Sequence, residues 1–214
     1  MPDLSQSLLK IAVLAVPFLL AVICHEVAHG VAALAFGDTT ARDAGRLTMN
    51  PVRHMDKAGT LVFVFTALLT PFVFGWAKPV PINPLRFRQR RAGLLVVSAA
   101  GAAANFLVAA VAILAIHLLP HNPGEGFYAQ YLHQPLVNIA YYAILVNIFI
   151  GVFNLLPIPP LDGSNIVAAL LPRAWAATYM RIGRYGIILI FVLFYVRAFD
   201  SLFDPILRFI DSIL

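Results

Sequence analysis

The sequence predicts an all-α polytopic membrane protein with four spanning helices and one shorter apolar segment. Of its 214 residues, 61% are hydrophobic and only 12% are charged, whereas a soluble domain carries about 25% charged residues. A soluble domain with a large core would need far more polar surface, so a membrane protein is the better interpretation. The five apolar segments are residues 8–36, 60–76, 92–119, 136–156 and 185–203. All except the second approach the ~20 residues that a helix needs to cross the hydrocarbon layer.

The first segment carries an H-E-x-x-H pattern formed by His25, Glu26 and His29. Ionisable side chains at the centre of a bilayer cost about 2.5–3.5 kcal/mol each on insertion scales, so three of them at fixed spacing indicate a function. His25 and His29 are four residues apart and therefore share one face of a helix. This geometry allows two imidazoles to bind one zinc ion, with Glu26 beside them as a general base.

The second segment, residues 60–76, either spans the membrane or re-enters it, and the placement of charge favours re-entry. Twelve of the 15 Lys and Arg residues lie in three loops, whereas residues 120–135 contain none. These basic loops are residues 37–57, 77–91 and 172–184. A re-entrant segment would place all three loops on the cytoplasmic side, as the positive-inside rule prefers.

The remaining segments predict one intramembrane domain over residues 1–214, with a core at 8–170 and a C-terminal helix at 185–203. The N-terminus is expected outside, so that the first span runs inward and the others alternate. Residues 1–36 are expected to stay in the mature chain, because the N-terminal flank is barely basic and no small-residue cleavage site follows. The net charge of +5 is explained by membrane orientation, and no nucleic-acid partner is expected.

Two histidines leave a catalytic zinc site one protein ligand short, because such sites usually have three ligands and a water. Asp162 is the candidate third ligand, since it follows an apolar span and a stretch that contains Pro157, Pro159 and Pro160. Prolines prevent a regular helix there, and exposed backbone at membrane depth needs a cavity. From the spacing alone, a turn residue or a helix N-cap is an equally good interpretation of Asp162.

The two motifs together resemble the signatures of the site-2 proteases, the intramembrane zinc metalloproteases. These motifs are His25-Glu26-x-x-His29 and Asn154-x-x-Pro-x-Pro-x-Leu-Asp162-Gly163. The resemblance implies one zinc ion per chain, bound by the two histidines and Asp162, with Glu26 as the catalytic residue.

The resemblance extends over about residues 8–170. Residues 45–51 and 75–84 are similar to sequences of the family's small bacterial and archaeal members. One departure is visible, because the family often has Gly-Pro-x-x-Asn in a central span, whereas Gly101 and Asn105 here keep the spacing without the proline.

An amide donor is expected to stabilise the charge that develops on the peptide carbonyl oxygen. Asn154 is the first candidate for this catalytic role and Asn105 the second. Interhelical hydrogen bonding is an equally good interpretation of Asn105.

The resemblance implies a transmembrane protein as substrate, and its peptide must be held extended because helical carbonyls are already hydrogen-bonded. A small β-like loop near the active site, Gly45–Pro51, is predicted to bind substrate as an exposed strand edge. An ordinary interfacial turn is the alternative for these residues. The protein is expected in the cytoplasmic membrane as a multi-pass protein, with the lipid bilayer around it and the active site toward the cytoplasm.

Two other functions could use the same residues: an ion- or proton-coupled transporter, or a zinc-binding protein that has lost its activity. The sequence has no repeat of broken helices in corresponding halves, which argues against the transporter. The complete set of two histidines, aspartate and glutamate argues against the inactive protein. The other histidines are expected to be surface or interfacial residues without a metal; they are His54, His117, His121 and His133.

Overall fold

The structure is a computed structural model, and it describes residues 4–69, 75–120 and 122–213. The chain as described is 77% helix and contains no strand. Its α-helices are α1 (Leu4–Ala35), α2 (Thr40–Asp43), α3 (Pro51–His54), α4 (Lys57–Leu69), α5 (Arg90–Leu118), α6 (His133–Asn154), α7 (Asp162–Leu170), α8 (Arg173–Arg181), α9 (Gly183–Tyr195) and α10 (Asp200–Ile213). A 3₁₀ turn, Pro84–Arg86, precedes α5, and a π-helical turn, Tyr128–Leu132, precedes α6.

Helices α1, α5 and α6 pack against one another, and α7 packs on α5. The inner face of α5 is lined by small residues, including Gly101, Ala102 and Ala109, all of which are buried. Small side chains let helix backbones approach closely, which is how membrane helices associate when lipid is as apolar as their side chains. The close approach brings polar groups of three helices into one buried region.

Among the residues that the structure describes, three helices are long and apolar enough to cross a membrane: Val13–Ala35, Arg90–Leu118 and Tyr128–Asn154. They correspond to the predicted spans at residues 8–36, 92–119 and 136–156. The count rises to four only if α8 and α9, which are bent by 57° relative to each other, form one span.

The predicted fourth span at residues 185–203 is not one continuous helix. Helix α9 ends at Tyr195, Arg197 adopts a positive φ of 57°, and α10 begins at Asp200. The Arg197 guanidinium forms an ion pair with the Asp200 carboxylate at 2.6 Å. The hydropathy pattern extended the predicted span past this charged turn, although helix α9 ends before it.

The second apolar segment begins as helix α4 and comes back beside its own start. Its 13 residues extend only about 20 Å at 1.5 Å per residue, which is short for a span. After residues 70–74, which lie outside the described part of the chain, residues 75–83 run extended; we call them the return segment. The Lys78 amide donates to the His54 carbonyl at 2.8 Å, and Met55 and Ala77 form an antiparallel bridge.

The predicted β-like loop, Gly45–Pro51, is not confirmed. Gly45 has a positive φ of 63°, and turns and bends follow it. The Asn50 side chain accepts a hydrogen bond from the Val52 amide and caps α3, with Pro51 as its first residue. Asn-Pro therefore starts a helical turn here, because the cap and the fixed proline φ both favour a helix N-terminus.

Candidate metal centre

His25 and His29 lie on the face of α1 that packs against α5, one helical turn apart. Both are buried, with 6% and 7% of their surfaces exposed. Their rings are nearly perpendicular, at 88°, and their Nε2 atoms are only 2.9 Å apart. The predicted pairing of the two imidazoles on one helix face is present in the structure.

Asp162 comes from a distant part of the chain and completes the cluster. It is the first residue of α7; Leu161 precedes it in an extended conformation and is the N-cap. Its Oδ2 atom lies 3.1 Å from His25 Nε2 and 3.0 Å from His29 Nε2. Of the interpretations left open by the sequence, the structure favours a side chain directed at the histidines over a capping residue.

Hydrogen bonds at the opposite ring nitrogens determine the tautomers of both histidines. Asn105 Nδ2 faces the Ala21 carbonyl at 3.0 Å, and a carbonyl can only accept, so Asn105 Oδ1 faces His25 Nδ1 at 2.7 Å. The Nδ1–H of His25 therefore donates to Asn105. The Nδ1–H of His29 donates to the Val97 carbonyl at 2.6 Å. Each imidazole consequently presents an unprotonated Nε2 to the cluster.

Three acceptor atoms, two imidazole nitrogens and one carboxylate oxygen, thus converge within 3.1 Å of one another. Such an arrangement is repulsive unless a metal ion or an added proton lies among the lone pairs. Two histidines and one carboxylate are also a ligand set found in catalytic zinc sites. The residues therefore fit a zinc ion.

Gly101 of α5 provides the space that this cluster occupies. A Cβ atom at this position would lie 2.5 Å from His25 Cε1 and 2.5 Å from His29 Nε2. Any side chain would push against both imidazoles. The glycine of the predicted Gly-x-x-x-Asn pattern is thus required by the histidines rather than by a helix bend.

Glu26 follows His25 on α1 and reaches a different partner. The Val80 amide of the return segment donates to Glu26 Oε2 at 2.6 Å. Both residues line a cleft of about 380 Å³ that also contains the two histidines and Asp162. The Glu26 carboxylate therefore lies beside the candidate metal ligands, and the Val80 amide of the return segment holds it there.

The return segment is fixed at both ends by buried charged groups. The Arg46 guanidinium donates to the Lys78 carbonyl at 2.6 Å, and the Asn83 amide donates to Asp38 Oδ2 at 2.6 Å. Asp38 also accepts hydrogen bonds from the amide and hydroxyl of Thr40. Burial raises the pKa of the Asp38 carboxyl, but these hydrogen bonds outweigh burial and hold the pKa below its usual value.

The two predicted amide donors are placed differently. Asn154 lines the cleft, and its Nδ2 donates to the Ile150 carbonyl at 3.0 Å, one turn back on α6. Asn105 is completely buried, with its amide group directed to His25 and Ala21. Asn165, which the sequence did not suggest, also lines the cleft one turn after Asp162.

Sequence reasoning missed the parts of the site that are made by backbone. The Val97 carbonyl and the Val80 amide leave no signal in residue type, because every residue carries such groups. His54 was expected to be a surface or interfacial residue without a metal. It is buried, at 1% exposed, and its Nε2 contacts the Thr48 carbonyl at 2.8 Å. His121 lies outside the described residues.

Comparison with known proteins decides the family. The model of peptidase family M50 matches residues 13–196. The chain belongs to peptidase family M50. It is 35% identical to "Putative zinc metalloprotease YwhC" of Bacillus subtilis over 184 residues, which cover 86% of this chain and 80% of that protein. It is 28% identical to "Putative zinc metalloprotease Rip2" of Mycolicibacterium smegmatis over 189 residues, covering 87% and 68% of the two chains.

No solved structure matches this M50 peptidase significantly. The resemblance to the site-2 proteases drawn from the motifs is confirmed by the family match and by the relatives. Family M50 membership, with the apolar helices, makes the chain an intramembrane zinc metalloprotease and does not favour the transporter.

Proposed function

We propose that this M50 peptidase hydrolyses peptide bonds within or near the transmembrane segments of membrane proteins. The observation that carries the proposal is the convergence of His25 Nε2, His29 Nε2 and Asp162 Oδ2 within 3.1 Å. His25, His29 and Asp162 would hold one zinc ion, which would supply Lewis acidity and lower the pKa of a bound water. The remaining chemistry belongs to side chains that line the same cleft.

Glu26 is the proposed general base. It lies next to His25 on α1, yet its carboxylate points to Val80 rather than into the ligand cluster. From there it takes a proton from the attacking water and returns it to the leaving amine. The Val80 amide fixes one carboxylate oxygen, which leaves the other oxygen for proton transfer.

Asn154 is the proposed donor to the carbonyl oxygen, because it lines the cleft and Ile150 engages only one of its two N–H groups. An oriented donor in a water-poor site stabilises the charge that develops there. For Asn105 we propose a different contribution. Its side chain orients His25, since its oxygen accepts from the imidazole and its nitrogen faces the Ala21 carbonyl.

We further propose that residues 1–214 form one domain in the cytoplasmic membrane, with the cleft toward the cytoplasm. Two basic loops meet at the same end of α1, because the Arg88 amide donates to the Phe36 carbonyl at 2.9 Å and Asn83 reaches Asp38. This arrangement supports re-entry of residues 60–76, since a span would separate the loops. Helix α9 is proposed to begin the fourth span, which leaves α8 in the basic loop at residues 172–184.

The substrate is proposed to be a transmembrane protein whose cleaved segment lies extended in the cleft. The predicted binding edge at Gly45–Pro51 forms turns, whereas the return segment is extended and lines the cleft through Pro79 and Val80. We therefore assign the edge to the return segment in preference to Gly45–Pro51. The carbonyls of the return segment would accept hydrogen bonds from a peptide held open at its scissile bond, since Pro79 and Pro81 have no N–H and the Val80 amide donates to Glu26.

The proposal is tested with purified protein in detergent or vesicles and a panel of single-span membrane proteins. Wild type is expected to contain one zinc per chain and to lose cleavage on chelation, with recovery when zinc is restored. Glu26→Gln should keep the zinc and lose cleavage by about 100-fold or more. Cleavage by the Gln variant at the wild-type rate would remove Glu26 from the mechanism, and wild type without zinc would refute the proposal.

A further inference from the structure

We infer that Asn147 is a positioning residue of the metal centre, although it touches no metal ligand. Asn147 lies in the middle of α6 and is completely buried. Its Nδ2 donates to the Ala143 carbonyl at 2.8 Å, and its Oδ1 accepts from Asn105 Nδ2 at 2.9 Å. Asn105 in turn accepts from His25 Nδ1.

The directions of these hydrogen bonds are imposed by two backbone carbonyls. The Ala143 carbonyl can only accept, so it determines which end of the Asn147 amide faces Asn105. The Ala21 carbonyl does the same for Asn105, whose nitrogen faces it at 3.0 Å. Both N–H groups of Asn105 are therefore engaged, and its oxygen can only face His25.

The consequence for His25 is a fixed tautomer. Without Asn147, one N–H of Asn105 would be buried without an acceptor, which is unfavourable in a dry interior. Asn105 would then be held by the Ala21 carbonyl alone, so its side chain would shift toward another acceptor and its oxygen would leave the 2.7 Å contact with His25 Nδ1. The Nδ1 proton of His25 would lose its acceptor, which favours the other tautomer, in which Nε2 carries the proton and has no lone pair for a metal.

A purely structural role is the alternative, since buried amides also join membrane helices by hydrogen bonds. The two roles differ in where the effect of a substitution appears. A structural residue changes packing whether or not Asn105 is present. A positioning residue changes zinc binding only through Asn105. The inference rests on the proposed zinc site but does not require proteolysis.

Asn147→Ser separates the two bonds of Asn147. Serine in a helix can still bond the carbonyl four residues back, but it is too short to reach Asn105. Zinc affinity, measured by competition with a chelator, is expected to fall about 10-fold. The absorption spectrum of the cobalt-substituted protein is expected to change as well. Asn147→Leu should behave like the Ser variant. Asn147→Asp, which is protonated in this dry interior, keeps an oxygen toward Asn105 and an O–H toward the Ala143 carbonyl, so it should stay within about 3-fold of wild type.

Two controls complete the experiment. Asn138→Leu makes the same change in the same helix, about 13 Å away along the axis, and should leave both measurements unchanged. In an Asn105→Ala background, Asn147→Ser should cause no further loss of zinc affinity, because coupled residues are not additive. The inference is overturned if the Ser variant binds zinc like wild type, if Asp is as harmful as Ser, or if Ser causes its full loss without Asn105. A wild type that binds zinc but cleaves nothing would refute only the proposed function.

Discussion

The two ends of the cleft are held by different kinds of contact. At the ligand end, the Asn105 side chain and the Val97 carbonyl, both of α5, orient His25 and His29 between packed helices. At the Glu26 end, the partner is a backbone amide of the return segment, which is tied to the loops by Arg46 and Asp38.

This difference separates metal binding from catalysis. The ligand end depends on buried polar groups and on the space left by Gly101, so substitutions there should act on the zinc. The Glu26 end depends on one amide of an extended segment, so substitutions there should act on turnover while the zinc stays bound. Three substitutions test this difference.

Gly101→Ala should have the largest effect, and it should act on the metal. The added Cβ would lie 2.5 Å from atoms of both imidazoles, so the rings must leave their hydrogen-bonded positions. Zinc affinity, measured by chelator competition, is expected to fall by about 100-fold. Gly93→Ala is the matched control, because its Cβ would press on the Phe87 ring at the same 2.5 Å in the same helix. Equal zinc loss in both variants would mean that helix packing, rather than the imidazoles, controls the site.

Val80→Pro should have an intermediate effect, and it should act on turnover. Proline has no N–H, so the Glu26 carboxylate loses the donor at 2.6 Å and becomes free to rotate. We expect kcat to fall about 10-fold, part of what general-base catalysis contributes, with zinc content unchanged. Val80→Ala keeps the amide and should lose much less activity. If the Ala and Pro variants were equally slow, the valine side chain and not its amide would matter.

Asp38→Asn should have the smallest effect, of about 1 kcal/mol in the free energy of unfolding. Its oxygen can keep the two Thr40 contacts, and only the acceptor for the Asn83 amide is lost. The pKa of Asp38 is lowered in the folded protein. The stabilisation is therefore complete above the ordinary carboxyl pKa of about 3.9 and is lost as the pH falls through the folded-state value. Thermal unfolding of both forms from pH 7 to pH 3 should show their difference shrinking as the pH falls. A difference that grows in acid would contradict this assignment.

The sequence predicted the ligand end better than the Glu26 end, and the reason is physical. His25 and His29 were visible because an ionisable side chain in an apolar run is costly. Asp162 was suggested by its proline-rich context after a span, and Asn105 by the family resemblance. Asn147 also stands out, as an amide within the apolar segment 136–156. Its role could have been predicted by asking from which buried N–H group its side-chain oxygen accepts a hydrogen bond.

The rest depended on information that residue types do not carry. The Val80 amide and the Val97 carbonyl are backbone groups, so only the path of the chain shows that they meet Glu26 and His29. The three long spans followed from hydropathy, which a bilayer makes decisive. The last predicted span was overextended because hydropathy does not register the positive φ of Arg197.

Asn147 of α6 is hydrogen-bonded to Asn105 of α5, which is hydrogen-bonded to His25 of α1. Zinc binding is therefore expected to depend on the distances between these three helices. Helices in a bilayer adjust their tilt when the hydrocarbon layer becomes thicker or thinner. A shift of a fraction of an ångström between α5 and α6 would lengthen the bond between Asn105 and Asn147 before any helix unfolds. A change in membrane thickness is thus expected to change the zinc affinity through the side chains of Asn105 and Asn147.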